Sequence, residues 1–334
     1  MLNQSQQADY PLSSANDAGS SLLSYQGESI WLEKGFTIIV WIFALSSAVV
    51  LFWISWIVAH DAWPAISKYG ISFFWRQEWI PNEDEFREQS FGALPFIYGT
   101  LVTSSLAILF AIPLGIAVAI VTSEDFLPQY VRSPISFMVE LIASLPSVIV
   151  GLWGIFVLIP ALFPLQDWLY AYFSWLPLFS IPPTGQSLLV AGTILAIMIL
   201  PTIAAISREV LLAIPRDLRS ASMALGATRW ETIWRVLLPG ATSGIVGAII
   251  LGLGRALGEA LAVTMVIGNS YQITPSLLAS GASITSILTN QFAEAGLGLH
   301  IGALMYLALI LFVITLIANV FAELLVWFIG RKNA

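Results

Sequence analysis

Residues 214–239 read IPRDLRSASMALGATRWETIWRVLLP and join two long apolar stretches, at about 187–206 and 241–267. Pro215 favours the start of a helix, and Gly226 suits a sharp bend about ten residues later. After the bend, apolar residues recur at helical spacing. These residues are Trp230, Ile233, Trp234 and Leu237. We therefore predict two short amphipathic helices, split by a bend, between two helices that cross a membrane.

The composition supports a membrane protein. Of 334 residues, 58% are hydrophobic and 10% are charged, whereas soluble domains carry roughly a quarter charged residues. A helix that spans the bilayer needs about 20 apolar residues. Six stretches meet this need, at about 36–58, 95–121, 137–158, 187–206, 241–267 and 301–329. We predict an all-α integral membrane fold with six transmembrane helices.

The charges and reactive side chains exclude several functions. Thirteen Lys and Arg against 20 Asp and Glu give no basic footprint for nucleic acid. The chain has no cysteine, and His60 and His300 lie far apart, so we expect no metal site. The sequence lacks a glycine-rich loop that ends in Gly-Lys-Ser/Thr, so it has no ATPase site of its own. We expect no catalytic residues and no cofactor bound by this chain.

The distribution of basic residues predicts the orientation. With both termini inside, cytoplasmic segments hold nine Lys and Arg and outer segments hold three, as the positive-inside rule requires. We predict a disordered polar tail at residues 1–30, and the first transmembrane helix with an outer loop at 31–90. Residues 91–330 form the transmembrane core, with a cytoplasmic loop at 207–240. Residues 160–186 are predicted to be a loop with interfacial or re-entrant pieces.

Two charged residues fall inside the fifth apolar stretch. An Arg at the bilayer centre costs about 2.5–3.5 kcal/mol on insertion scales, so Arg255 must face protein or water. Glu259 follows four residues later, within reach on a continuous helix. Three interpretations stay open, namely a structural salt bridge, the lining of an anion pathway, and a gate that breaks and reforms.

Several other residues carry weaker signals. Pro146 is predicted to kink the third transmembrane helix and to act as a hinge. Gly254 and Gly258 form a small-residue pattern typical of helix packing. The hydroxyls of Thr100, Thr103 and Ser104 either line a polar path or bond back to their own helix.

The segment at 214–239 has two interpretations on physical grounds alone. It is either a compact cytoplasmic knob that transmits force from a soluble partner or an interfacial helix on the lipid surface.

The segment resembles the coupling motif of importer-type ABC-transporter permeases. That motif reads Glu-Ala-Ala, three residues, Gly, nine residues, and Ile/Val-x-Leu-Pro, and here Ser220-Ala221-Ser222, Gly226 and Val236–Pro239 take its positions. Further stretches are similar to phosphate-uptake (Pst) permeases, above all the PstC-type subunit. These stretches are residues 91–101, 145–154, 225–239 and 253–263.

This resemblance implies a type I ABC-importer permease of a high-affinity phosphate uptake system in the bacterial inner membrane. It implies a PstA-type second permease, two PstB-type ATPases that hold ATP and Mg²⁺, and a PstS-type extracytoplasmic binding protein. The residues expected to couple to the ATPase are Arg216, Leu218, Ala221, Met223, Ala224 and Gly226. Arg255 and Glu259 are expected to line or gate the substrate pathway.

Other functions stay open at this point. A permease for sulfate or molybdate has the same general features. A secondary transporter driven by an ion gradient belongs to a different class, as does an anion channel or a signalling scaffold.

Overall fold

The computed structural model describes residues 13–81, 88–124, 128–296 and 298–332. The chain divides into two units, with the boundary between Ile57 and Val58. The first unit contains most of α1 (Ser13–Asp61). This helix begins inside the segment predicted to be a polar tail, whose first 12 residues lie outside the described part. The division into a tail, an outer loop and a core stays a prediction.

In the described residues of the second unit, helices are the only regular secondary structure, together with irregular loops and two isolated β-bridges. Its α-helices are α2 (Trp63–Tyr69), α3 (Leu94–Ser123), α4 (Gln129–Ser144), α5 (Ser147–Trp153), α6 (Ile159–Phe173), α7 (Leu188–Ala213), α8 (Arg216–Ala224), α9 (Arg229–Thr232), α10 (Leu238–Gly258), α11 (Leu261–Val266), α12 (Ile284–Gln291) and α13 (Leu299–Lys332). Short 3₁₀ helices span Gly70–Phe74 and Pro177–Phe179, and π-helical turns at Gly154–Leu158 and Ile233–Leu237 join α5 to α6 and α9 to α10.

Six helical stretches of the described residues are long and apolar enough to cross a membrane, which confirms the predicted number. They are Glu33–Asp61, Leu94–Ser123, Ser147–Phe173, Leu188–Ala213, Arg229–Gly258 and Leu299–Trp327. Each has 26–30 residues, which at about 1.5 Å per residue exceeds the roughly 30 Å of bilayer hydrocarbon.

The third transmembrane helix differs from its predicted position. It runs over Ser147–Phe173, so residues 160–173, predicted to be a loop, are helical. Pro146 lies in the break between α4 and α5 with extended backbone, φ −59° and ψ 136°. A proline inside a helix removes a hydrogen bond and clashes with the preceding turn, and here the chain ends one helix and begins another at that point. The predicted kink inside the helix is therefore wrong, and the hinge role stays a prediction.

The core is built around α7, which packs against α3 and α10. Small residues on α3 let the helices approach closely, since Ala107 and Ala111 are fully buried. A methyl group added at Gly115 would touch Ile203 of α7, and one added at Gly192 would touch Leu106 of α3. This packing fixes the positions of residues along α7 relative to both neighbours.

An aromatic cluster closes the end of the bundle where α3 begins. Gln291 on α12 accepts a hydrogen bond from Trp79 Nε1 at 2.7 Å and donates one to the Tyr271 hydroxyl at 3.0 Å. Its side-chain oxygen also lies 3.2 Å from His300 Nε2 on α13. Burial raises the pKa of Tyr271, although the bond with Gln291 opposes that shift. The cluster ties the loops at this end to α12 and α13.

Candidate functional site: a broken membrane helix and a cytoplasmic knob

The fifth predicted transmembrane stretch is broken near its end. The helix α10 ends at Gly258, Glu259 has extended backbone with φ −72° and ψ 124°, and α11 begins at Leu261. The Glu259 carboxylate lies 3.5 Å from the Ala262 nitrogen and accepts from its N–H. The backbone carbonyl of Glu259 accepts a hydrogen bond from Thr285 Oγ1 at 2.8 Å. In a continuous helix, the Ala262 N–H and the Glu259 carbonyl would instead bond to backbone groups one turn away.

Arg255 lies in the last turn of α10 and is half-buried. Its Nη1 donates a hydrogen bond to Thr202 Oγ1 on α7 at 3.2 Å. This bond accounts for one of the five N–H groups of the guanidinium. Among the described residues the other N–H groups meet no acceptor, which leaves them for water or an anion.

Arg255 opens onto a cavity of about 590 Å³. The lining residues are Thr202, Gly247, Ile250, Leu251, Gly254, Arg255 and Asn319. A methyl group added at Gly247, Gly254 or Gly258 would meet nothing within 4 Å among the described residues beyond its own turn of helix. Gly254 and Gly258 therefore do not pack against another described helix of this chain, and their predicted role in helix packing stays a prediction.

The expected contact between Arg255 and Glu259 is absent. Both residues are described, and no ion pair within 4 Å joins them. An i, i+4 contact needs a continuous helix, and the break after Gly258 turns Glu259 away. The structural salt bridge is thus wrong for this conformation, whereas the pathway and gating roles stay predictions.

The segment at 214–239 has the predicted first short helix and the predicted bend. The second short helix is wrong as a separate element, because α9 continues through the π-helical turn into α10 as one stretch, Arg229–Gly258. Gly226 follows α8 with φ +90°, a left-handed conformation that glycine adopts without strain. The Thr228 hydroxyl accepts from the Glu231 N–H at 3.2 Å, while Glu231 Oε2 accepts from the Thr228 N–H at 2.9 Å. This capping box starts α9. The Ser222 and Thr232 hydroxyls lie 2.9 Å apart and join α8 to α9.

The helix α8 has no buried residue. Among the predicted coupling residues, Leu218 is 50% exposed and Met223 is 46% exposed, and Arg216, Ala221 and Ala224 are exposed as well. Trp230 and Trp234 pack edge to face at 5.8 Å and are more than half exposed, as suits a membrane–water boundary. This arrangement leaves most residues of α8 exposed, and the coupling role of these residues stays a prediction.

The comparisons with known proteins agree with these features. Residues 111–331 match the family model described as "Binding-protein-dependent transport system inner membrane component". The chain belongs to this family. The permease is 42% identical over 282 residues to a phosphate transport system permease protein PstC of Pasteurella multocida, covering 83% of this chain and 86% of that protein. It is 41% identical to a probable PstC of Methanocaldococcus jannaschii, covering 78% and 82% of the two chains.

A solved structure shares the fold of the permease. The MetNI methionine ABC transporter in an inward-facing conformation matches with a TM-score of 0.50 and 19% identity, over 71% of this chain and 94% of that chain. Together with the six apolar helices, this confirms a type I ABC-importer permease fold and a multi-pass protein of the inner membrane.

Sequence reasoning missed several residues of these sites. Thr202 and Asn319 line the cavity beside Arg255, and Asn319 was visible as a lone amide in the last apolar stretch. Leu225 is 90% exposed at the end of α8. The hydroxyls of Thr100, Thr103 and Ser104 bond back to carbonyls of their own helix, between 2.7 and 2.8 Å. These hydroxyls therefore have hydrogen-bond partners without lining a polar pathway.

Proposed function

We propose that this permease is a membrane subunit of an ATP-driven, high-affinity importer of inorganic phosphate. The observation that carries this proposal is the similarity to proteins named PstC at about 40% identity over about four fifths of the chain. The half-buried Arg255 beside an open cavity is consistent with an anionic substrate, because a planar guanidinium can hold two phosphate oxygens.

Uptake of phosphate needs an energy source outside this chain. Bringing an anion into an inside-negative cell costs about 2.3 kcal/mol per charge for each 100 mV. The sequence has no phosphate-binding loop of the kind found in ATPases. We propose that two PstB-type ATPases, with ATP and Mg²⁺ bound to them, dock on the exposed face of α8.

The open surface beside Arg255 supports a second permease as partner. Gly247, Gly254 and Asn319 surround the charged group there, and an Arg at membrane depth must face protein or a water-filled path. A PstA-type chain that covers this surface would complete the pathway and form a heterodimer. A PstS-type binding protein would deliver phosphate at the opposite side of the membrane from α8.

In this proposal Arg255 is a weak and reversible binding site for phosphate. A site that held the anion tightly would not release it. Glu259, four residues along at the helix break, would act as a gate by limiting how long the anion stays near Arg255. The hinge at Pro146 would let α4 and α5 move separately during the cycle.

Reconstitution tests the proposal. The chain is co-expressed with candidate ATPases, a second permease and a binding protein, and ATP hydrolysis and uptake in proteoliposomes are measured with phosphate, sulfate and molybdate in turn. Stimulation by phosphate alone is the expected result. Stimulation by sulfate or molybdate instead would contradict the substrate, and uphill uptake by the purified chain without an ATPase would contradict the transport class.

A further inference from the structure

A single arginine on the inner face of α8 contacts two transmembrane helices at once. Arg219 Nη2 donates to the Leu211 carbonyl at 2.7 Å, and Nη1 donates to the Ile214 carbonyl at 3.3 Å. Both carbonyls lie at the C-terminal end of α7, where a helix leaves its last carbonyls without partners and favours a positive charge. Arg219 therefore caps α7 from the neighbouring helix α8.

The same guanidinium faces a carboxylate at the end of α3. Arg219 Nη2 lies 3.1 Å from Glu124 Oε1, and the two side chains are only 16% and 19% exposed. Glu124 is the residue that follows α3. Arg219 thus links α8 to both α3 and α7, the two helices that form the centre of the core.

This ion pair is only partly engaged. Within the described residues Arg219 Nε is buried without a hydrogen-bond partner, and Glu124 Oε1, although 3.1 Å from Nη2, makes no aligned hydrogen bond. In the parallel two-bond geometry of an Arg–carboxylate pair, two guanidinium nitrogens face two carboxylate oxygens. Nε is the nitrogen that such a pair would add, whereas Nη1 and Nη2 also donate to carbonyls at the end of α7.

We propose that Arg219 is a positioning residue that exchanges its bonds to the end of α7 for a two-bond pair with Glu124 when α8 moves. The exchange would convert a displacement of α8 into a change in how α3 and α7 are held. Buried polar atoms without partners are costly, so two discrete arrangements are favoured over a continuum of intermediate ones.

The position of α7 lets this exchange reach the substrate pathway. Thr202, the hydrogen-bond partner of Arg255, lies 12 residues before Ile214 on the same helix stretch. At 1.5 Å per residue the two ends are about 18 Å apart. A shift of α7 would therefore displace Thr202 and alter its hydrogen bond with Arg255 at the cavity. The inference rests on the proposed docking of an ATPase on α8.

The test uses two variants that keep the size of the side chains. Glu124→Gln removes the charge that draws the guanidinium, and Arg219→Lys keeps the charge but loses the planar fork. Glu209→Gln is the matched control, because Glu209 is an exposed carboxylate near the same end of α7. Each chain is reconstituted with the ATPase, the second permease and the binding protein, at equal amounts of assembled complex.

Both variants are expected to assemble and to hydrolyse ATP, because the exposed face of α8 is unchanged. Phosphate transported per ATP hydrolysed should fall at least about fivefold, the lower end of typical coupling between sites, while Glu209→Gln stays at the wild-type ratio. A purely structural role would instead lower complex yield and thermal stability with the transport ratio unchanged, and that result would overturn the proposal.

The remaining outcomes separate this inference from the proposed function. If the wild-type complex transports phosphate and Arg219→Lys retains the wild-type ratio, the bond exchange is wrong and the proposed function stands. If the wild-type chain joins no ATPase, both are wrong.

Discussion

Replacing Arg255 with Gln tests whether the cavity carries an anion. Gln is shorter than Arg but keeps a neutral amide donor, and Arg255 is only half-buried, so the local fold should survive. The change removes one positive charge from the wall of the cavity. We expect a large loss of phosphate transport with little change in the amount of inserted protein.

The separation between the anion and the guanidinium sets the expected magnitude. We take a separation of about 5 Å, as for an anion that lies in the open cavity beside Arg255 without touching it. One unit of charge at about 5 Å contributes roughly 0.8 kcal/mol in bulk water and about 3.3 kcal/mol at an effective dielectric constant of about 20. Loss of the charge should therefore slow transport by about fourfold to about 250-fold per unit of anion charge.

The assay is uptake of labelled phosphate into proteoliposomes that contain the full transporter. Arg255→Lys keeps the charge and should retain more transport than Gln. Lys68→Gln, which removes a positive charge from an exposed position on α2, is the matched control and should transport normally. Uptake within twofold of wild type by a correctly inserted Arg255→Gln chain would refute both the pathway and the gating role.

Three further changes test the packing and the bend. Gly226→Val should cost about 1–2 kcal/mol, because a β-branched residue is strained at positive φ, and it should lower transport per ATP hydrolysed. Gly99→Ala should destabilise the protein by about 1–3 kcal/mol, because the new methyl group would overlap the backbone carbonyl of Ala282. Gln291→Leu should cost about 1–3 kcal/mol for each buried group left unpaired, including the indole N–H of Trp79. Thermal unfolding in detergent measures the last two.

Each of these changes has a control in the same chain. Gly226→Asn should be milder than Val, since Asn tolerates the left-handed conformation. Gly240→Ala adds the same methyl group at a position where its nearest contact lies at 3.7 Å, an ordinary van der Waals distance. Gln272→Leu changes an exposed glutamine. Equal losses in a variant and its control would contradict the packing described around Gly99 or Gln291, or the conformation at Gly226.

Local patterns in the sequence were sufficient for much of the architecture. Apolar stretches long enough to cross a bilayer predicted six transmembrane helices, and a glycine between two amphipathic runs predicted the bend at Gly226. Both signals depend on residues close together in the chain, so no distant contact is needed to interpret them. The family resemblance rested on the same kind of local motif.

Long-range contacts decided what those patterns left open. The sequence spacing placed Arg255 and Glu259 on one helix face, but the break after Gly258 separated them. Contacts with other parts of the chain, such as the bond from Thr285 to the Glu259 carbonyl, hold that break.

The pairing of Arg219 with Glu124 likewise joins residues 95 positions apart. Sequence alone determined how many segments are long and apolar enough to cross the membrane, because hydrophobic length is a property of each segment by itself, although the bounds of the third segment came only from the structure. Only the tertiary structure decided which polar groups meet, because that depends on how α3, α7, α8 and α10 pack against one another.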